Sequence, residues 1–287
     1  AFDDLFIFAP KILPYKTSIV PVFNLNNDHI SKMKIPGAPA IVRSGNVDLN
    51  CWFVPPKPGK PTILWCHGNG ETISRTQIVA KQLAAKGNGV MLLEYEGYGV
   101  NEGTPSEDKL YQNAIDASKY LNKKKGIPNN QIIVMGHSLG GAIAAHTAAS
   151  VSEENHFKGL VLDSTVPSMP ALVKSWIDKG CMVNIDEPRE NYTIDRIRKD
   201  LASGGGLWET EKFIPRIPKS TEILVINSAG DTIVDQTVGE KLMKAVKAVR
   251  PDAGTYWEPN SLISHLNYKC RMPKILKFIS NISNTSN

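Results

Sequence analysis

The sequence predicts an α/β protein built on a mostly parallel sheet with helices on both faces. Three observations carry that expectation. Short β-branched and aliphatic runs recur along the chain: NVDLNCWFV, PTILWC, GVMLLE, QIIVM, GLVLD, EILVI and GTYWE. Most are too short and too continuously apolar for helices, which suits strands buried on both faces. Segments with helical punctuation lie between them, so strand and helix alternate from residue 60 onward. The long exception is residues 170–215, which hold no strand-like run, crowd charges and place three glycines at 204–206. That stretch reads as a cap or lid inserted into one domain spanning residues 1–287.

The helices follow from their ends. ETISRTQIVAKQLAAKG reads as a helix stopped by Gly87, and VGEKLMKAVKAVRP as one stopped before Pro251. TPSE at 104–107 has the form of a capping box, with Thr104 as N-cap, Pro105 at the first helical position and Glu107 reaching back. The helix it opens runs to KKKG, where lysines meet the negative end of the dipole, Gly126 ends it and Pro128 forbids resumption.

Composition narrows the class. The 287 residues are 41% hydrophobic and 21% charged, enough apolar material for a large core. A net charge of +5 spread over that length is a poor footprint for nucleic acid. The cysteines Cys51, Cys66, Cys181 and Cys270 show neither C-x-x-C pairing nor metal-ligand spacing, so a reducing, soluble intracellular location is expected, with no metal. No apolar run of membrane-spanning length occurs. The start at Ala1 and the polar tail NISNTSN leave open that both termini are cut edges, and export or delivery into another cell stays open with them. Monomer is the default.

The chemistry centres on VMGHSLGG. A strand, QIIVM, runs into Gly136-His137-Ser138-Leu139-Gly140 and then into the small-residue helix GAIAAHTAAS. This is G-x-S-x-G in a strand, turn and helix, the setting of a nucleophile elbow, whose sharp turn demands minimal side chains two residues before and after the serine. A serine hydroxyl needs a base to take its proton, and the base needs an acid to orient it. Ser138 is followed by the acid and then the histidine in such chains. Of six histidines, His265 alone lies near the C-terminus, in the polar loop after GTYWE. Asp231 sits just past EILVI and is the preferred acid; Asp235 competes, with helix N-cap as its ordinary role. His137, beside the nucleophile, packs against the elbow in this reading. The oxyanion donors expected are the amides of Leu139, at the positive end of its helix, and Asn69, in His67-Gly68-Asn69-Gly70 after PTILWC. No phosphate-binding glycine pattern of the dinucleotide or P-loop kind occurs.

These residues resemble the α/β-hydrolase superfamily, in particular its compact serine-hydrolase branch of α/β-hydrolase domain esterases and protein depalmitoylases. The resemblance is carried by LWCHGNGETIS, LLEYEGYGVNEGTPSE, IIVMGHSLGGAIAAH, GLVLDS, ILVINSAGDTIV and SHLNY. It implies an eight-stranded sheet, no cofactor, and a triad of Ser138, Asp231 and His265 with Asn69 and Leu139 at the oxyanion hole. Two departures stand out. Glu94-Tyr95-Glu96-Gly97-Tyr98-Gly99 replaces the branch's D-Y-R-G-Y-G, placing an acid at Glu96 where the branch has arginine. The ordinary account of Glu96 is solvent or a local lysine; the functional one is rejection of anionic substrates. Family depalmitoylases often attach to membranes through an N-terminal cysteine cluster, and the first cysteine in this sequence is Cys51, so membrane-bound depalmitoylation is not expected.

The expectation is therefore a serine hydrolase acting on a small-molecule or acylated substrate, a carboxylic ester or thioester including lipid acyl groups. His67, Tyr98, Trp176 and Trp208 are the candidate substrate contacts, with Met182 beside them, although core packing is the ordinary fate of such residues. Arg189, Arg196, Arg198 and Lys199 offer peripheral contact with a membrane or acidic partner, or simply a solvated face. A serine peptidase of the same fold is the rival enzyme, and a catalytically silent scaffold acting as a binding protein is the rival outside enzymes.

Overall fold

The computed structural model describes residues 33–180, 188–202, 206–260 and 263–284. Eight strands form one sheet: β1 (Ala38–Ser44), β2 (Val47–Val54), β3 (Thr62–Cys66), β4 (Gly89–Leu93), β5 (Ile132–His137), β6 (Gly159–Asp163), β7 (Glu222–Ser228) and β8 (Gly254–Glu258). Their spatial order is β1-β2-β4-β3-β5-β6-β7-β8. β2 runs antiparallel to both neighbours, and every pair from β4 to β8 is parallel. The seven apolar runs are β2 to β8. β1, APAIVRS, is an edge strand whose outward residues are exposed, so it carries little of the apolar signal that marks the others.

The central strands are continuously apolar because both faces are covered. Leu64, Val134 and Leu162 face one core, shared with α2 (Glu107–Lys125), α3 (Leu139–Ala149) and α7 (Gln236–Val249). Ile63, Trp65, Ile133, Met135 and Val161 face the other, covered by α1 (Ile73–Ala84) and α8 (Tyr268–Asn284). The period-two alternation thus sorts neighbouring residues between two cores.

Helix ends follow local chemistry, with one correction. α2 is capped by Ser106, whose Oγ accepts from Lys109 N–H at 3.4 Å, and not by Thr104. Glu107 does not reach back. Its carboxylate instead accepts from Tyr111 Oη and from the Leu207 and Trp208 amides. A capping-box pattern cannot reveal that a long-range donor will claim the glutamate. At the other end Gly126 takes φ +67°, the left-handed cap that only glycine adopts without strain.

Between β6 and β7 the described residues contain no strand. α4 (Met169–Asp178), α5 (Ile194–Ala202) and α6 (Thr210–Phe213) occupy this excursion. Val173, Ile177, Tyr192, Ile197 and Leu201 give α4 and α5 a small core of their own. Met182 and the side chain of Arg189 lie outside the described residues. Among the described residues no helix is long and apolar enough to cross a membrane. Cys51 and Cys66 are buried, and burial pushes each thiol up to about 12, which leaves both unreactive near neutrality.

The corrected cap is testable: Ser106→Ala lowers the unfolding free energy by about 1 kcal/mol, and Thr104→Ala, at an exposed loop position, changes it by less than about 0.5 kcal/mol. Urea denaturation of the two variants distinguishes them.

Candidate active site

The elbow is built by steric exclusion. Ser138 joins β5 to α3 with φ 53° and ψ −120°, a conformation that costs a non-glycine residue about 1–3 kcal/mol. It holds because its neighbours give way. A Cβ on Gly136 would strike the Gly140 carbonyl, and one on Gly140 would strike the carbonyls of Cys66 and His67. The Ser138 amide is tied to Asp163 O at 2.9 Å, which fixes the turn against the end of β6. Ser138 itself is half-buried.

Asp231 and His265 come together from separate loops. The turn after β7 is closed by Asp231 N–H to Ser228 O at 3.1 Å. Asp231 Oδ1 accepts from the Ile233 and Val234 amides, both at 2.9 Å, and Oδ2 meets His265 Nδ1 at 2.7 Å. Burial works to raise the Asp231 pKa, but these bonds outweigh it and hold the carboxyl below its usual range. An ionised carboxylate only accepts, so His265 carries its proton on Nδ1 and leaves the Nε2 lone pair free. The His265 pKa is lowered by burial first, and next by the charge of His137, against the pull of Asp231. The imidazole is thus held in its neutral, basic form. Among the described residues no hydrogen bond joins Ser138 Oγ to His265 Nε2; catalytic hydrogen bonds of this kind commonly tighten only around substrate. Asp235 caps α7 through the Thr237 and Val238 amides and pairs with Lys179.

The loop after β3 lies directly on the elbow. A Cβ on Gly68 would sit 3.3 Å from Ser138 Cβ and 3.1 Å from His137 Nδ1. Asn69 is half-exposed, and its Oδ1 accepts from Tyr98 Oη at 3.1 Å. Leu139 occupies the first position of α3, where amides have no intrahelical acceptor.

Comparison with known proteins bears on this geometry. A family model described as serine aminopeptidase, S33, matches residues 57–203. The chain belongs to this α/β-hydrolase family. An uncharacterized protein of Mycobacterium tuberculosis, Rv2307c, is 31% identical over 225 residues, covering 74% of this chain and 70% of its own. The multifunctional-autoprocessing repeats-in-toxin of Vibrio cholerae is 29% identical over 171 residues, which is 59% of this chain and 4% of the toxin. The chain therefore matches a small part of that relative. Among solved structures, Pyrococcus furiosus esterase Pf2001 aligns with a TM-score of 0.63 at 16% identity over 91% of this chain and 93% of its own, a likeness of fold.

Within the α/β-hydrolase fold several expected contacts take other roles. His67 is fully buried, its Nε2 on Glu94 Oε1 at 2.9 Å and its Nδ1 on Gly68 O at 2.9 Å, so both ring nitrogens anchor the loop. Burial opposes its charging, but Glu94 outweighs that and raises its pKa. Trp208 is fully buried edge-on against Tyr111 and lines no open surface. Tyr98 is buried, with its hydroxyl spent on Asn69. Trp176 is half-exposed and donates Nε1–H to Ile233 O at 3.0 Å. Glu96 pairs with Lys109 at 2.5 Å, the ordinary outcome.

Sequence reasoning missed the residues that hold the histidine loop. Arg271, fully buried on α8, donates Nε–H to Asp163 Oδ1 at 2.5 Å and Nη2–H to Oδ2 at 3.3 Å. Its remaining donors reach the Ser264 carbonyl at 3.0 Å and the His265 carbonyl at 2.7 Å. A signal was present: Tyr268, Arg271, Ile275, Ile279 and Ile282 fall on one helical stripe, and Arg271 is the charge on that otherwise apolar face. Arg271→Met leaves Asp163 buried and unpaired, and lowers stability by about 3–5 kcal/mol, readable in urea denaturation.

Proposed function

We propose that this α/β-hydrolase is a serine hydrolase that forms an acyl-enzyme on Ser138 and releases it to water, with carboxylic esters or thioesters as substrates. The observation that carries the reading is the Asp231 to His265 hydrogen bond, which leaves an unprotonated Nε2 on a ring 4.5 Å between centroids from that of His137, the chain neighbour of the strained, half-buried Ser138.

The steps follow from that geometry. His265 Nε2 takes the proton as Ser138 Oγ bonds to the acyl carbon. The carbonyl oxygen becomes an oxyanion, met by the amides of Leu139 and Asn69. The imidazolium, steadied by Asp231, gives its proton to the departing alcohol or thiol as the tetrahedral centre collapses. Water then attacks the acyl-serine, with His265 again as base, and the acid leaves. The acyl chain runs beneath the 170–215 excursion, which acts as a cap. Support comes from the apolar cluster of Val166, Leu172, Val234 and Val238 with Trp176, where the excursion meets the loop carrying Asp231.

A peptidase reading draws on the description of the matching family as a serine aminopeptidase. The two part on leaving group: turnover of p-nitrophenyl esters and acyl thioesters is expected, and turnover confined to amino-acid p-nitroanilides would favour the peptidase.

Intact mass after treatment with a fluorophosphonate is expected to show stoichiometric labelling that Ser138→Ala and His265→Ala abolish. Asp231→Asn lowers the labelling rate by about 10⁴-fold by presenting the wrong tautomer. Failure of the folded wild type to label would place the binding-scaffold reading first. Because the base must be neutral and its pKa is lowered by burial and His137, the rate falls with decreasing pH only below the ordinary imidazole value of about 6.5. A rate profile over that range checks the sign.

A further inference from the structure

Behind the elbow lies a buried polar cluster that the triad chemistry does not use. Glu71 stands three residues after Gly68, at the head of α1. Its Oε2 accepts from Gly68 N–H at 2.6 Å and faces His137 Nδ1 at 3.2 Å, while its Oε1 accepts from Tyr268 Oη. His137 Nε2 meets His265 O at 3.0 Å. One carboxylate and one imidazole thus join the loop of Asn69, the elbow of Ser138 and the loop of His265.

The donors and acceptors dictate the charge. A carbonyl oxygen can only accept, so His137 Nε2 carries a proton. Nδ1 faces the Glu71 carboxylate and the Tyr268 oxygen, both at 3.2 Å; the tyrosine hydroxyl donates its hydrogen bond to Glu71 and has no second proton to offer, so Nδ1 carries a proton too. We propose that His137 and Glu71 form a buried imidazolium–carboxylate pair that holds the His265 backbone against the elbow and sets a positive charge beside the His265 ring. The two are positioning residues for the site described above, and the proposal rests on that reading of it.

The electrostatics agree. Burial opposes a charged imidazole, but Glu71 outweighs it and raises the His137 pKa; burial likewise opposes the Glu71 charge, and His137 lowers its pKa. The groups facing His137 are Glu71 before α1, Tyr268 and Arg271 on α8, Asp163 at the end of β6, and His265, with His67 beyond Glu71. Arg271 is paired with Asp163. The rings of His137 and His265 are 4.5 Å apart between centroids, so charge on one disfavours charge on the other. The pair therefore keeps His265 in its basic form while Asp231 orients it.

The first measurement is the ring ¹⁵N spectrum of histidine-labelled wild type at about pH 8, where an ordinary imidazole is neutral, with His137 assigned by contacts to Tyr268, whose ring lies 4.9 Å away. His137 is expected to appear as imidazolium; a neutral His137 there overturns the proposal. The second is the pH profile of fluorophosphonate labelling in His137→Gln and in Glu71→Gln, with folding checked by circular dichroism. Removing the charge moves the acidic limb to higher pH and cuts the maximal rate by about 10²-fold, the scale of a misplacement of about 1 Å. Loss of rate with an unmoved limb in both variants would reduce the pair to ordinary packing and overturn the electrostatic role. Wild type that fails to label defeats the serine reading instead, and the ring spectrum still decides the charge on His137.

Discussion

The carbonyl oxygen of His265 takes two hydrogen bonds, one from Arg271 and one from His137, and the rest of the site depends on them. The histidine loop is polar and follows an edge strand, and its described residues before α8 belong to no strand or helix. Arg271 reaches it from α8 while its other donors grip Asp163 at the end of β6. His137 reaches it from the position before Ser138. Ser228 Oγ, bonded to Ile263 O at 2.8 Å, fastens the same loop to β7. The loop is thereby referenced to three parallel strands, and the position of the imidazole inherits the rigidity of the sheet.

Buried charge is the cost of that rigidity. Arg271 with Asp163, and His137 with Glu71, remove four ionisable groups from water, each needing a partner of opposite sign and nearly complete hydrogen bonding. Apolar residues of similar volume would pack the same space without desolvation cost, but they would not select one loop conformation, and they would not place positive charge beside the His265 ring. His67 with Glu94 repeats the device beneath the loop of Asn69. Around Ser138, directional polar contacts replace the apolar packing that serves elsewhere in the sheet.

Strain is concentrated where this support is densest. Ser138 sits at positive φ, its amide is tied to Asp163, and the glycines around it admit backbone contacts that any side chain would block. Asp163 therefore serves twice, its carbonyl fixing the turn and its carboxylate fixing the arginine that holds the histidine loop. Ser138 and the His265 loop are referenced to the same residue at the end of one strand.

The sequence by itself determined the alternation of strand and helix, the elbow at Ser138 and the candidacy of Asp231 and His265, because these are local signals: apolar runs, glycines at fixed offsets, and chain order. It misjudged or missed what depends on distant donors. Glu107 looked like a capping residue and became the acceptor for Leu207 and Trp208, about a hundred positions away in the chain. β1 was silent because an edge strand is apolar on one face only. Tryptophan and histidine near the site looked like substrate contacts, yet Trp208 and His67 are buried, since type does not tell which face a residue will present. Only the tertiary structure decided that His137, Glu71, Tyr268 and Arg271 meet behind the elbow. Hydrogen bonds between side chains 66 to 197 positions apart leave no periodicity to read. They exist only once the sheet has brought its strand ends to one edge.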